Sequence, residues 1–384
     1  MRNPKPCFYT LIFFIAPLFA LGQSFYINPG TTVFVQSGSA LSVRDSLVNN
    51  GTLTNNGSLV MGGVWLNNGT YVPGEGRITF NSTSGEQIIN HNAQAFSWLT
   101  IDGSGIKKFL ADIVVERELI LTNGIMVAEN NSKIIFDESV VITGGSDQSH
   151  VQGAVQHSGS GNKLFPIGNG TTYLPVQITG ITSAATQVRV SSTELGGSVL
   201  PKSSSLKSIS DQRYFTVDVV TGSLQNATVT LPVRNENSLS GGLQSLVVAQ
   251  ASALNDPFTS LGQSNSTGSL STGTVTSAQA PTETLLAVAS ADNSGIEVFN
   301  AIAPNGFELN QYMRIANLPF PNKVLIFNRW GDKVYEVENY DDTVPGKRFA
   351  GLDTKGNELP SGNYFYKIEV DQKEVKTGYL SLKR

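Results

Sequence analysis

Leu47-Val48-Asn49-Asn50-Gly51-Thr52, Leu53-Thr54-Asn55-Asn56-Gly57-Ser58, Leu59-Val60-Met61-Gly62-Gly63-Val64, Trp65-Leu66-Asn67-Asn68-Gly69-Thr70 and Tyr71-Val72-Pro73-Gly74-Glu75-Gly76 follow one another without a break. The period is six. Leu47, Leu53, Leu59, Trp65 and Tyr71 hold one phase, and Gly51, Gly57, Gly63 and Gly69 hold another. A short strand with one inward apolar residue and an Asn-Gly corner is the unit of a β-solenoid. Such a unit cannot bury its apolar side alone; the next turn of chain buries it. The competing architecture is a β-sandwich with repetitive loops.

Outward from this stretch the rhythm lengthens. Phe96–Ile101, Lys108–Val115, Glu118–Leu121, Gly124–Val127, Lys133–Phe136 and Val140–Thr143 read as short strands in irregular turns of the same solenoid. Glu116-Arg117-Glu118 reads as a solvated turn between two of them. The pattern changes near Gly144-Gly145-Ser146. Val151–Val155, Leu164–Gly168, Tyr173–Ile178, Gln187–Ser191, Arg213–Val220, Ala227–Leu231, Leu246–Gln250, Thr274–Thr276 and Thr284–Ala289 are strands with partial alternation and suggest a β-sandwich. Lys202–Ser208 and Ser264–Ser269 read as polar loops, and Ala291–Gly295 as a linker.

Composition agrees with an all-β chain. Charged residues make up 15% of its 384 residues and Gly accounts for 38, which suits many short strands and turns. Net charge is −4 without a basic patch, so nucleic acid is not an expected partner. Residues 1–22 read as a secretory signal peptide: Arg2 and Lys5, then the apolar run Leu11–Leu21, then small residues before Gln23. The only cysteine, Cys7, lies inside that segment, so the mature chain is expected to hold no disulfide. No other stretch is long enough to span a bilayer as a helix, so no transmembrane segment is expected in the mature chain.

Chemistry is sparse. His91, His150 and His157 are the only histidines and read as surface or loop residues. No Gly-x-Ser-x-Gly elbow accompanies them. Asp341, Asp342 and Asp353 read as turn residues, without the alternating oxygen ligands of a calcium loop. Trp65, Trp98, Tyr71 and Phe96 read as core packing, with a sugar-stacking strip as the alternative. No catalytic, cofactor or metal residue is assigned, and the chain is expected not to be an enzyme.

The C-terminal region carries the specific signal. Val324–Phe327, a break at Asn328-Arg329-Trp330-Gly331-Asp332 and Val334–Val337 form a strand, turn and strand. Leu359-Pro360-Ser361-Gly362-Asn363 is a turn before the strand Tyr364-Phe365-Tyr366–Val370, and Gly378–Leu382 is a last strand before Lys383-Arg384. These three ordered motifs, Ile326-Phe327-Asn328-Arg329-Trp330-Gly331, Leu359–Tyr366 and Gly378–Arg384, resemble the gliding motility-associated C-terminal domain. That family comprises the type B sorting domains of type IX secretion substrates in Bacteroidetes. The resemblance covers about Ile296 to Arg384 and departs from the family at Asn305–Gln311, where two positions of the opening acidic loop are not acidic.

The resemblance implies a small Ig-like β-sandwich at 296–384, read by type IX machinery at the outer membrane, and a secreted or cell-surface protein. The sorting motif comprises Ile326, Phe327, Asn328, Arg329, Trp330, Gly331, Leu359, Pro360, Ser361, Gly362, Tyr364, Tyr366, Gly378, Lys383 and Arg384, with the tip Asn328–Asp332 and the basic end Lys383-Arg384 as the expected recognition surface. The expected order is signal peptide 1–22, solenoid 23–150, sandwich 151–290, linker 291–295 and sorting domain 296–384. The expected role is a non-enzymatic structural or adhesion protein with surface glycans or proteins as partners. The alternative is a carbohydrate-active enzyme or glycan-binding protein with the same sorting domain.

Overall fold

The computed structural model describes residues 24–292, 296–305, 310–316, 318–319, 321–370 and 373–384. The expected signal peptide, most of the linker and the altered loop at 306–309 lie outside the described residues. Apart from two single turns of 3-10 helix, Leu243–Ser245 and Pro345–Lys347, the described elements are all strands. The chain divides into two compact units. One holds the described residues up to Gln156 with Gly170–Tyr173, and the other holds His157–Asn169 and Leu174–Arg384.

The first unit is a β-solenoid of about seven turns. Its first three turns run through β1 (Phe25–Ile27), β2 (Thr32–Val35), β3 (Ala40–Val43), β4 (Leu47–Asn49), β5 (Thr52–Asn55), β6 (Ser58–Met61), β7 (Trp65–Asn67), β8 (Thr70–Val72) and β9 (Arg77–Phe80). Stacking is parallel and in register: Leu47 lies on Trp65, Leu53 on Tyr71, and Leu41 on Leu59. One turn therefore takes three six-residue units, one for each of three sheets. The shared phase of Leu47, Leu53, Leu59, Trp65 and Tyr71 is the buried phase.

A second inward position follows each leucine, and in three units it is an asparagine. Asn49, Asn55 and Asn67 are fully buried at the corners. Asn49 Nδ2 donates to Asn67 Oδ1 at 2.7 Å and to the Thr70 carbonyl at 2.9 Å, while Asn49 Oδ1 accepts from Gly51 N–H at 3.1 Å. The Asn49 and Asn55 amides satisfy backbone groups at the corners, while Asn67 serves as an acceptor for Asn49. The glycines serve close stacking. A Cβ on Gly51 would lie 2.3 Å from the Thr31 carbonyl, and one on Gly63 would lie 1.5 Å from that of Asp45.

Beyond β9 the turns widen through β10 (Glu86–Asn90), β11 (Ala95–Ile101), β12 (Ile106–Phe109), β13 (Ile113–Leu121), β14 (Met126–Ala128), β15 (Lys133–Phe136), β16 (Val141–Gly144) and β17 (Val151–Gln152). β13 spans two faces: Ile113–Val115 pair with β15 and Glu118–Leu121 with β16. Glu116-Arg117-Glu118 therefore lies within a continuous strand and is not a turn. It sits where the β11–β13 register shifts between Phe96 and Trp98, which turns all three side chains outward.

The three histidines correct the sequence reading, because all are buried. His91 stacks on Phe96 with ring centroids 3.7 Å apart and accepts Trp65 Nε1–H at 3.1 Å. Burial drives its pKa down to about 3, so it is a neutral core residue. His150 accepts from Gly170 N–H at 3.0 Å, and His157 packs edge-on to Phe165. Polar spacing in sequence hid the fact that each ring has a local partner for its nitrogen.

In the second unit Gly161–Phe165, Val176–Ile181, Thr228–Arg234, Thr272–Thr276 and Asn265–Gly268 form one antiparallel sheet. Gln187–Glu194, Arg213–Thr221, Leu285–Ala291 and Leu246–Ala251 pair antiparallel in another. Two segments read as loops are strands. Leu206–Ile209 pairs with Leu285–Ala291, and Asn265–Gly268 forms a hairpin with Thr272–Thr276. Asn265–Gly268 is Ser/Thr/Gly-rich and owes its pairing to the neighbouring strand, whereas Leu206–Ile209 is anchored by its buried ends, Leu206 and Ile209.

The C-terminal part has a five-stranded sheet in the order Ala301–Ile302, Lys373–Leu382, Gly362–Val370, Asn322–Phe327, Lys333–Glu338. Its core holds Val324, Ile326, Tyr340, Phe349, Tyr364, Tyr366, Ile368 and Leu380. Tyr340 donates its hydroxyl to the Met313 carbonyl and accepts Phe349 N–H at 3.2 Å, which ties the segments outside the sheet to it.

Candidate sorting surface

The three C-terminal motifs fall on adjacent strands. Phe327 pairs with Phe365, Phe365 with Tyr379, and Gly362 with Leu382. Because these neighbours are antiparallel, the tip Asn328–Asp332, the turn Ser361-Gly362 and the end Lys383-Arg384 all leave the sheet at one end. Segments far apart in sequence thus form one surface.

The tip is rigidly built. Asn328 Oδ1 accepts Trp330 N–H at 2.9 Å and Asp332 N–H at 3.0 Å, and Asn328 Nδ2 donates to Asp332 Oδ2 at 3.0 Å. Gly331 has φ of 86°, which its lack of a side chain permits. The result projects Trp330 into solvent with 77% of its surface exposed, and the Arg329 guanidinium lies 5.1 Å from its ring centre. An indole held out this far contributes little to packing within the chain.

The remaining motif residues divide by role. Ile326, Tyr364 and Tyr366 are core, and Leu359 is buried at the sheet's end. Tyr364 donates its hydroxyl to the Pro360 carbonyl at 2.8 Å and fixes the turn before its own strand. Gly378 faces Tyr366, and a Cβ there would lie 2.3 Å from the Tyr366 hydroxyl. Phe327 is half-buried, and Ser361 and Gly362 are exposed.

Of the basic end, Lys383 is exposed and Arg384 is engaged within the domain. Its guanidinium donates to the carbonyls of Leu359 at 2.8 Å and Gly351 at 2.7 Å and pairs with Glu358 at 3.1 Å, while its backbone N–H donates to Ser361 Oγ at 2.9 Å. Arg384 is a clasp joining the last strand to the Leu359–Gly362 turn.

Two aromatics were not singled out from sequence. Phe365 and Tyr379 are 50% and 56% exposed and extend the Phe327 row across the outer face of three strands. Alternation carried the signal: with Tyr364 and Tyr366 inward, Phe365 must point outward. Beside this row Glu336 pairs with Lys323 and Lys333, whose hydrogen bonds hold its carboxyl below the usual range.

A second polar cluster lies on the solenoid. Arg77, Trp98 and Glu118 share one outward row across β9, β11 and β13. Arg77 pairs with Glu118 and Arg117 with Glu75, and both guanidiniums lie over the Trp98 ring, at 5.5 and 6.0 Å. Trp65, Tyr71 and Phe96 are core as expected, whereas Trp98 is an outer-face residue. Ser97 donates to Glu116 at 3.0 Å. Burial and then the neighbouring Glu116 charge push the Asp137 carboxyl above its usual range. Among the described residues no group of three or more His, Cys, Asp or Glu side chains is placed to hold a metal ion. No described helix is long and apolar enough to cross a membrane.

Comparison with known families matches one model, the CHU_C type IX secretion signal domain, over residues 296–382. No curated protein and no solved structure matches the chain. The matched residues include every motif strand and the exposed tip described above, and residues 296–382 are therefore a type IX secretion signal domain, which supports export of this protein to the cell surface or beyond.

Proposed function

We propose that the protein is a non-enzymatic structural or adhesion component displayed outside a Bacteroidetes cell, with the solenoid as its working part. In this reading a cleaved signal peptide takes the chain to the periplasm, and the type IX machinery reads the tip around Trp330. The middle sheets form a β-sandwich, and the sorting domain is Ig-like. The observation that carries the non-enzymatic reading is the pairing of acidic side chains along the solenoid. Glu75, Glu86, Asp112, Glu118 and Glu129 each contact an arginine or lysine. Glycoside hydrolysis instead needs two carboxyl groups facing one sugar linkage, about 5–10 Å apart.

A second reading is favoured by Trp98 with Glu116 and Asp137 at the β11–β13 corner: glycan binding or cleavage at that corner. One experiment separates them. The exported protein is screened against a glycan panel and a panel of surface proteins, alongside Trp98→Ala and Asp137→Asn. Binding that survives both substitutions without sugar release supports the adhesion reading. Sugar release abolished by Asp137→Asn supports the second.

A further inference from the structure

Among the described residues the first turn of the solenoid has three unpaired edges. Among those residues β1, β2 and β3 are each the terminal strand of their sheet, and each pairs only with the following turn. The hydrogen bonds to that turn come from alternate residues. Phe25 and Ile27 bond β4, Thr31 and Val35 bond β5, and Ser39 and Val43 bond β6. By the same alternation the backbone groups of Tyr26, Thr32, Phe34, Ala40 and Ser42 point away from the solenoid along its axis.

Two further features make this end unusual. Edge strands are ordinarily protected by charged side chains, proline within the strand or a covering loop. Ser24–Val43 contains no Asp, Glu, Lys or Arg, and its one proline, Pro29, lies between β1 and β2. The end is also apolar. Phe25, Val33 and Leu41 are only half-buried, although their neighbours one turn on, Leu47, Leu53 and Leu59, are fully buried. Tyr26 and Phe34 are 63% and 60% exposed.

We propose that this first turn is a self-association surface, at which a second copy of the chain docks head to head. The occupant follows from shape and charge. An extended peptide can pair with one edge, whereas three edges wound about one axis are met together only by another solenoid end of the same cross-section. The copy brings three edge strands equally free of charge, and the charges of the turn, Arg44 and Asp45, lie at the corner after β3 rather than on a strand. A two-fold axis across the solenoid reverses strand direction, so the junction is antiparallel. One strand pairs with its own copy and the other two pair with each other. The contact closes on itself and yields a dimer rather than a fibre.

The test is sedimentation velocity on the exported full chain over a range of concentrations, with backbone amide exchange. A dimer is expected, with slow exchange at Tyr26, Thr32, Phe34, Ala40 and Ser42. The variant Phe34→Lys/Ser42→Lys places like charges at the junction and weakens the dimer at least roughly tenfold, with the melting temperature of the dilute monomer unchanged. Both side chains are exposed, and Tyr26→Lys is the second variant should the first not fold. A monomer at all concentrations overturns the proposal. Slow exchange in a monomer overturns it too, because the edges are then protected without a second copy. A dimer untouched by either variant places the junction elsewhere and also overturns it.

Discussion

Asn328 holds Trp330 in place: its side-chain oxygen accepts the Trp330 backbone N–H at 2.9 Å while the indole itself stands in solvent. Position and exposure are thus set by different residues, and they can be separated by mutation. Trp330→Ala should leave the melting temperature unchanged and reduce export. Asn328→Ala should cost about 1 kcal/mol, the usual worth of such side-chain hydrogen bonds, and reduce export to a similar degree. Thermal melts and the secreted fraction measured side by side check this. Normal export of both variants would move recognition away from the tip.

The C-terminal clasp gives a contrasting expectation. Removing Arg384 deletes two hydrogen bonds to carbonyls and an ion pair at the Leu359–Gly362 turn. We expect a loss of about 1–3 kcal/mol, since hydrogen bonds from charged donors are stronger than neutral ones. Arg384→Lys cannot reproduce the forked contact and should recover only part. Denaturant melts of the three forms check the order wild type, lysine variant, deletion.

The solenoid phase predicts unequal costs at adjacent positions. Leu53 is fully buried and Thr54 faces outward. Leu53→Asp should destabilise by roughly 3–5 kcal/mol, and Thr54→Asp by less than about 1 kcal/mol. Gly63→Ala should approach the first, because its Cβ would collide with the Asp45 carbonyl. Equal thermal shifts at 53 and 54 would show the phase to be misplaced.

That phase was legible because the inward residues of the repeat are apolar and regularly spaced. The strand through Glu116-Arg117-Glu118 was not, because charge there reflects an outward bend within a paired strand. The sorting motifs were legible as strands and turns. Their convergence on one end of a sheet was not, since it depends on antiparallel pairing between segments distant in sequence. The contacts of Arg384 were hidden for the same reason: its carbonyl partners lie 25 and 33 residues earlier.

Glu236 makes stability in the middle region depend on pH. Its carboxyl is fully buried against Arg213 at 3.3 Å, and burial, only partly offset by hydrogen bonding and by that guanidinium, raises its pKa from 4.5 to about 7. A raised carboxyl means that folding is penalised where Glu236 is ionised, above pH 7. The penalty lifts as pH falls from about 7 toward 4.5, where only the folded state binds the proton. Glu236→Gln should therefore be more stable than wild type at pH 8, by on the order of 2 kcal/mol, with the gain vanishing near pH 5. His91 has the opposite sign. Its lowered pKa means stability present above 6.5 and lost as pH falls toward 3, in both proteins alike. Melts of the two proteins at matched pH cancel the histidine contribution and isolate Glu236.

Residues 296–384 should suffice to direct export. The most direct measurement places a fluorescent protein between residues 1–23 and 296–384 and follows it in a gliding Bacteroidetes host. We expect fluorescence at the cell surface or in the medium, and retention in the periplasm when the Trp330 tip is deleted. A fusion that stays in the periplasm while the full-length protein is exported from the same cells would contradict the claim.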